Sequence, residues 1–204
     1  MAVRQEQKRQ TRELILRTAY LLFEDRGLLA TKTSDIAEAA HISHGSVFAH
    51  FPTRDQLLEA VIEDVGRNIA TRVQEGSGRK QTARDVLTTH VKCLTEYEAF
   101  YARLVSEGPF LPAAARRVLV EIQSAIATQL DEALSRERPK KGARVLPIDL
   151  VFNTWIGLLH HYLVNRDLFA PGQSVLSKMG PRLVDYFMTL TSPTSRADEK
   201  GEGP

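Results

Sequence analysis

The chain has 204 residues, 43% hydrophobic and 25% charged, which fits a globular protein with a sizeable core and excludes a disordered or collagen-like chain. Its 27 basic and 25 acidic residues leave a formal charge of +2, so attraction to a polyanion must come from local clusters of cations. The single cysteine, Cys93, cannot form an internal disulfide and has no zinc-type spacing around it, which fits a reducing cytoplasm. No apolar stretch of signal-peptide type and no run of about 18 apolar residues is present, so a soluble cytoplasmic protein with no membrane partner is expected.

Apolar residues recur at helical spacing along nearly the whole chain and sustained period-two alternation is absent, so the fold class is all-α. Over residues 11–26, Ile15, Ala19, Leu22 and Phe23 share one face, and Gly27 supplies a left-handed stop. Thr33 is the expected cap of a two-turn helix carrying Ile36, Ala37 and Ala40. Ser43 caps residues 44–50, and Phe51-Pro52 ends that helix because proline disfavours helical geometry in the residue before it. Thr53 and Gln56 form a capping box, behind which Leu57, Leu58, Val61, Ile62, Val65 and Ile69 make an apolar stripe running to Gly76-Ser77-Gly78.

From Leu87 through Val91, Leu94, Tyr97 and Tyr101 to Leu104, the spacing predicts one long helix that stops at Gly108-Pro109. Another covers residues 113–136 and leads into a basic loop with Pro and Gly over residues 136–144. Residues 149–165 carry Val151, Phe152, Trp155, Leu158, Leu159 and Tyr162, more apolar surface than one neighbour covers. The last helix, residues 174–190, contains Pro181, which either kinks it or marks its true start. Residues 193–204 read as a disordered polar tail.

Two short capped helices joined by a tight turn form the helix-turn-helix pattern, with Ile36, Ala37, Ala40, Ile42, Val47 and Phe51 inside. Gly45 and Ser46 keep the start of the second helix slim enough for a major groove about 12 Å wide. Gly27, Thr33-Ser34-Asp35-Ile36-Ala37, Ala40-His41-Ile42-Ser43, Gly45-Ser46-Val47-Phe48-Ala49-His50-Phe51 and Arg54-Asp55-Gln56-Leu57-Leu58 closely resemble the N-terminal domain of TetR-family transcriptional regulators. The resemblance spans roughly residues 11–61. It implies a helix-turn-helix DNA-binding domain over residues 1–52 and a ligand-binding and dimerisation domain over residues 53–192, whose first helix connects the two. It further implies a repressor that binds a pseudo-palindromic double-stranded DNA operator as a homodimer, through its last two long helices, and leaves it when a small-molecule effector binds.

Carried over position by position, Lys32, Thr33 and Ser34 stand where free amides and hydroxyls hold a phosphate, and His44, Gly45 and Ser46 where base edges are read. Phe48 and Ala49 belong to the same exposed set; Phe48 replaces the tyrosine usual in the family and so lacks its phosphate-binding hydroxyl. His50 and Arg54 are phosphate candidates, with Arg54 where lysine is commoner, and His41 replaces the frequent turn glycine at some strain. Arg4, Lys8, Arg9 and Arg12 against Glu6 form either an arm reaching the backbone or minor groove, or a solvated tail.

A regulatory pocket would lie beyond Gly78, with His90, Tyr97, Phe100, Tyr101, Phe110, Asn153, Trp155 and His160 as candidate lining, each aromatic being more often core than contact. His160 and His161 are adjacent, about 100° apart on a helix, and cannot face one metal together. Glu38-Ala39-Ala40-His41 has di-iron spacing but no second pair, and no phosphate loop, nucleophile elbow or His-Glu-x-x-His occurs. No cofactor, metal or catalysis is therefore expected. Two rivals are a helical small-molecule binding or interaction protein with a vestigial helix-turn-helix, and a helical enzyme.

Overall fold

The computed structural model describes residues 2–76, 81–137 and 146–191. The basic loop beyond Glu137 and the tail beyond Thr191 fall almost entirely outside them, as does most of the Gly-Ser-Gly break.

Among the described residues ten α-helices follow one another: α1 (Ala2–Arg26), α2 (Thr33–Ala39), α3 (His44–His50), α4 (Arg54–Glu75), α5 (Ala83–Glu96), α6 (Glu98–Glu107), α7 (Ala113–Glu137), α8 (Ile148–Val164), α9 (Arg166–Phe169) and α10 (Val175–Thr191). A 3-10 turn, Gly108–Phe110, joins α6 to α7, and no strand occurs among the described residues. The all-α class is what the chain adopts.

The first helix starts at Ala2 rather than near residue 11, so the basic N-terminal stretch is part of one continuous helix. Its polar sequence is held by neighbouring turns: Arg9 pairs with Glu6 and Glu13, each at 2.7 Å. Gly27 stops α1 with φ 97°, as its lack of a Cβ allows.

The expected Thr33 cap is corrected. Lys32 holds the cap position of α2, its amide bonded to the Asp35 carboxylate at 3.0 Å, while the Thr33 hydroxyl meets His44 Nε2 at 3.0 Å. Ser43 does cap α3, accepting from Ser46 N at 3.1 Å, and Thr53 caps α4, accepting from Gln56 N at 3.1 Å. Between α2 and α3, His41 takes the left-handed φ of 54°.

The single helix expected from Leu87 to Leu104 is two. Tyr97, with φ −113° and ψ 18°, interrupts it and turns α6 toward α1, where its ring meets Tyr20 edge-on at 6.1 Å. Aromatic packing across the fold thus overrides an unbroken heptad-like stripe. The extra helix α9 was not expected, and α10 runs from Val175 with Pro181 inside it on the exposed side, so Pro181 is an interior proline and not a start.

One apolar core is continuous from α1–α3 through α4 to α10. Two close approaches fix its geometry: a Cβ on Gly66 of α4 would come within 2.0 Å of Ile122 on α7, and one on Gly180 of α10 within 2.4 Å of Val91 on α5. Three carboxylates from distant residues close helix ends. Glu98 accepts from Val175 N (2.9 Å) and Leu176 N (3.0 Å) at the start of α10, Glu137 from Ala83 N (2.7 Å) at α5, and Glu107 from Leu29 N (2.7 Å) in the α1–α2 turn.

Candidate nucleic-acid interface and effector cavity

α3 is anchored on one side only. Val47 is fully buried against Ile36, Ala37 and Phe51 in the shared core, whereas His44, Gly45, Phe48 and Ala49 are exposed and Ser46 and His50 are half-buried. His44 is held at both ends of its ring environment, by Thr33 through Nε2 and by the Phe48 ring edge-on at 4.8 Å. The open face of α3 therefore presents a small, oriented imidazole, a bare glycine and an exposed phenyl ring. Lys32, Ser34 and the half-buried Thr33 sit at the start of α2 beside it, linked to α3 by the Thr33–His44 bond. The sequence-predicted residues of both helices are thus brought side by side with access to solvent, with one exception among the predicted set.

Arg54 is that exception. Its Nε donates to the Thr31 carbonyl at 2.9 Å, its Nη2 donates to the Leu28 carbonyl, and its remaining nitrogen lies 3.9 Å from Asp55. The guanidinium stitches the start of α4 to the α1–α2 turn. His50, at the other end of α3, has its imidazole pKa lowered, first by partial burial and then by the nearby cations Lys8 and Arg12. Arg12 lies over the Phe51 ring at 5.0 Å.

A second concavity is lined by α4, α5, α6 and α7; it is narrow, with a cavity volume of about 20 Å³. Its walls are apolar: Ile62, Val65, Leu94, Leu104, Leu119 and Ile126 are among them, and the polar groups on it belong to His90, Tyr101 and Gln123. No charged side chain lines it. His90 Nδ1 accepts from Trp155 Nε1 at 3.1 Å, which places the ring hydrogen of the neutral form on Nε2. Burial, reinforced by His160, lowers the His90 pKa to about 4, and burial does the same for His160. Burial raises the Tyr101 hydroxyl to about 12. Gln123 donates to the Tyr101 oxygen at 3.3 Å, and Tyr101 in turn faces His160 Nε2 at 3.3 Å, so a neutral donor chain runs from α7 through α6 to α8.

Of the candidate lining, His90, Phe100 and Tyr101 border this cavity, and His160 and Trp155 stand behind Tyr101 and His90 as their partners. Tyr97 packs against Tyr20 at the α1 side and lines a different hollow with Val61 and Asn68. Phe110 is 75% exposed in the 3-10 turn, and Asn153 lies on the outer face of α8, so neither borders the cavity. Periodicity places an aromatic on a helix but does not say which neighbour it faces. The residues missed were Gln123 and the α4 wall; the available signal was a glutamine set among Leu119, Ile122 and Ile126 on an apolar face.

Cys93 is buried, with its thiol pKa raised by burial, as a small core filler would be. Among the described residues no group of three or more His, Cys, Asp or Glu side chains is placed to hold a metal, and no helix is long and apolar enough to cross a membrane.

Residues 15–61, which are α1 from its first buried residue through the start of α4, match the family described as bacterial regulatory proteins, tetR family. The HTH-type transcriptional repressor Rv3405c of Mycobacterium tuberculosis is 38% identical over 80 residues, 39% of this chain and 42% of that one, so the match spans under half of the relative's length. The HTH-type transcriptional regulator AcrR of Shigella flexneri is 25% identical over 211 residues, covering 94% of each chain. Among solved structures, RolR in complex with resorcinol shares the fold with a TM-score of 0.61 and 19% identity, over 93% of this chain and 91% of that one. Residues 15–61, with the helix-turn-helix geometry they adopt, match the N-terminal segment of the tetR family of bacterial regulatory proteins, and the chain as a whole shares its fold with solved structures described as tetR-family regulators.

Proposed function

We propose that this protein is a transcriptional repressor that binds a pseudo-palindromic double-stranded DNA operator as a homodimer and is released by a small-molecule effector. One observation carries it: α3 buries Val47 and exposes His44, Gly45, Phe48 and Ala49, a one-sided helix thin enough at its start for the major groove. In this function His44, Gly45 and Ser46 meet base edges, with Phe48 and Ala49 on the flank, while Lys32, Thr33, Ser34 and His50 meet phosphates. Residues 1–52 form the DNA-binding unit, and residues 53–192 form the effector and dimer unit.

Pairing is supported by an unpartnered face on the last two long helices. Leu150, Gly157 and Val164 recur every seven residues along α8, and Tyr186 and Leu190 stand one turn apart on α10; Leu150, Tyr186 and Leu190 are all more than half exposed. The effector is an uncharged, mainly apolar molecule with a hydrogen-bonding oxygen, because a charge in the α4–α7 cavity would be desolvated without an ionic partner; the cavity, about 20 Å³ as it stands, opens by movement of its helices when the effector enters. RolR, bound to resorcinol, is a fold neighbour that takes a ligand of that chemistry. Release follows if the effector favours a spacing of the two α3 helices that no longer fits grooves about 34 Å apart.

Selection of bound duplexes from a random pool, followed by titration of the winner and a scrambled duplex over a salt series, tests this function. A palindromic consensus bound as a dimer is the expected result. Equal affinity for both duplexes would sink it and leave the small-molecule binding protein with a vestigial helix-turn-helix.

A further inference from the structure

The first three turns of α1 stand beyond the core, since its first buried side chain is Ile15. On this projecting segment the charges are sorted. Arg9 sits between Glu6 and Glu13 and occupies both carboxylates. Arg4, Lys8 and Arg12, each four residues after the last, lie along another face, are exposed, and make no ion pair among the described residues. Such spacing sets cations about 6 Å apart over roughly 12 Å of helix.

This row ends against α3. The Arg12 guanidinium covers Phe51, the residue that closes α3, and Lys8 and Arg12 are close enough to His50 to disfavour its protonation. The row is therefore rigidly tied, through a continuous helix and a ring contact, to the helix proposed to enter the major groove. Its own shape excludes one mode of binding. A helix with side chains is about 10–12 Å across and the minor groove only about 6 Å wide, so the segment cannot thread that groove as an extended arm does. What three unpaired cations on a stiff rod fit is the phosphate backbone.

We propose that the projecting N-terminal segment of α1 is a preformed helical phosphate clamp, in which Arg4, Lys8 and Arg12 grip the DNA backbone beside the groove that α3 reads. The clamp rests on the DNA-binding function proposed above. It adds affinity without sequence information, and because the segment is already helical it costs little ordering on binding.

The test uses the full chain and the duplex selected from the random pool, measured by fluorescence anisotropy over a potassium chloride series. Each lost phosphate contact lowers the steepness of log K against log salt by about 0.9. For the triple variant R4Q/K8Q/R12Q, which removes six contacts from the bound dimer, the expected result is a slope shallower by about 5, a loss of about tenfold or more on selected and random duplexes alike, and an unchanged consensus. The double variant R4Q/K8Q leaves the Arg12–Phe51 contact intact; a slope shallower by about 3 to 4, for four contacts in the dimer, is expected for it, with unchanged helicity by circular dichroism. Wild-type slope and affinity in the double variant would overturn the clamp alone, leaving the repressor intact. An altered consensus would overturn it too, by making these residues readers of bases. A wild-type protein with no duplex preference would remove the DNA-binding function and the clamp together.

Discussion

Glu107, at the end of α6, accepts a hydrogen bond from the Leu29 amide at 2.7 Å, across 78 residues of sequence. One turn earlier on the same helix Arg103 donates to the Asp25 carbonyl at 3.1 Å. The same helix supplies Phe100, Tyr101 and Leu104 to the cavity. A ten-residue helix therefore touches both the α1–α2 turn and the space where an effector would sit.

Replacing Glu107 with alanine removes the acceptor and leaves the Leu29 amide without a partner. A stability loss of about 1 kcal/mol is expected in urea titration, with faster amide exchange confined to residues 28–32. Unchanged exchange there would show that the contact does not hold the turn.

Arg54 provides a sharper distinction. Its donors are spent on the Thr31 and Leu28 carbonyls, so R54A is expected to lower the urea midpoint by the equivalent of about 1–2 kcal/mol while changing the salt slope of duplex binding by less than the ~0.9 that one phosphate contact is worth. A full-unit fall in slope at unchanged stability would instead return Arg54 to the DNA backbone.

Acid should weaken the packing of α5 and α8 around His90 and His160 in a defined window. Burial holds His90 and His160 to about 4 in the folded chain, against an ordinary value near 6.5 in the unfolded one. Between those values the unfolded chain binds more protons, so stability is full above about pH 6.5, falls as pH drops toward 4, and then levels off. Urea midpoints at pH 7 and pH 5 measure this. H160Q, which keeps a hydrogen-bonding side chain but cannot titrate, is expected to show a smaller drop than wild type, and an identical drop would exclude His160 as a source.

The approach of α4 to α7 at Gly66 leaves no room for a methyl group. G66A is expected to cost about 1–3 kcal/mol through overpacking against Ile122. Truncating the neighbour should return much of that loss, so the double variant G66A/I122A is expected to be more stable than the sum of its parts predicts, by a double-mutant cycle in urea. Strict additivity would mean that the helices simply separate.

What could be read from the sequence follows a division between local and distant causes. Ser43 and Thr53 cap the helices they precede because that chemistry acts within three residues, and Ile36, Ala37, Val47 and Phe51 are buried as their spacing implies. The break at Tyr97 was not visible, since it depends on an aromatic contact with Tyr20, 77 positions away in the chain. The carboxylate caps of Glu98, Glu107 and Glu137 were equally hidden, because each closes a helix or turn remote in sequence. On α3 the exposed positions were legible from the motif, while the inward engagement of Arg54 required the fold. For the cavity, His90, Phe100 and Tyr101 were found and Asn153 and Phe110 were not separable from them, since burial is a property of neighbours.

Gly45 has free volume where a side chain would be: the nearest atom to a Cβ built there is Ser43 Oγ at 3.9 Å. Nothing within the protein asks for the smallest residue at that point. Alanine there should even favour the helix by about 0.5–1 kcal/mol, so a penalty seen only when duplex is present would report the surface of the partner. Under the proposed function the emptiness at Gly45 is room kept for the duplex, and its depth can be gauged one methyl group at a time.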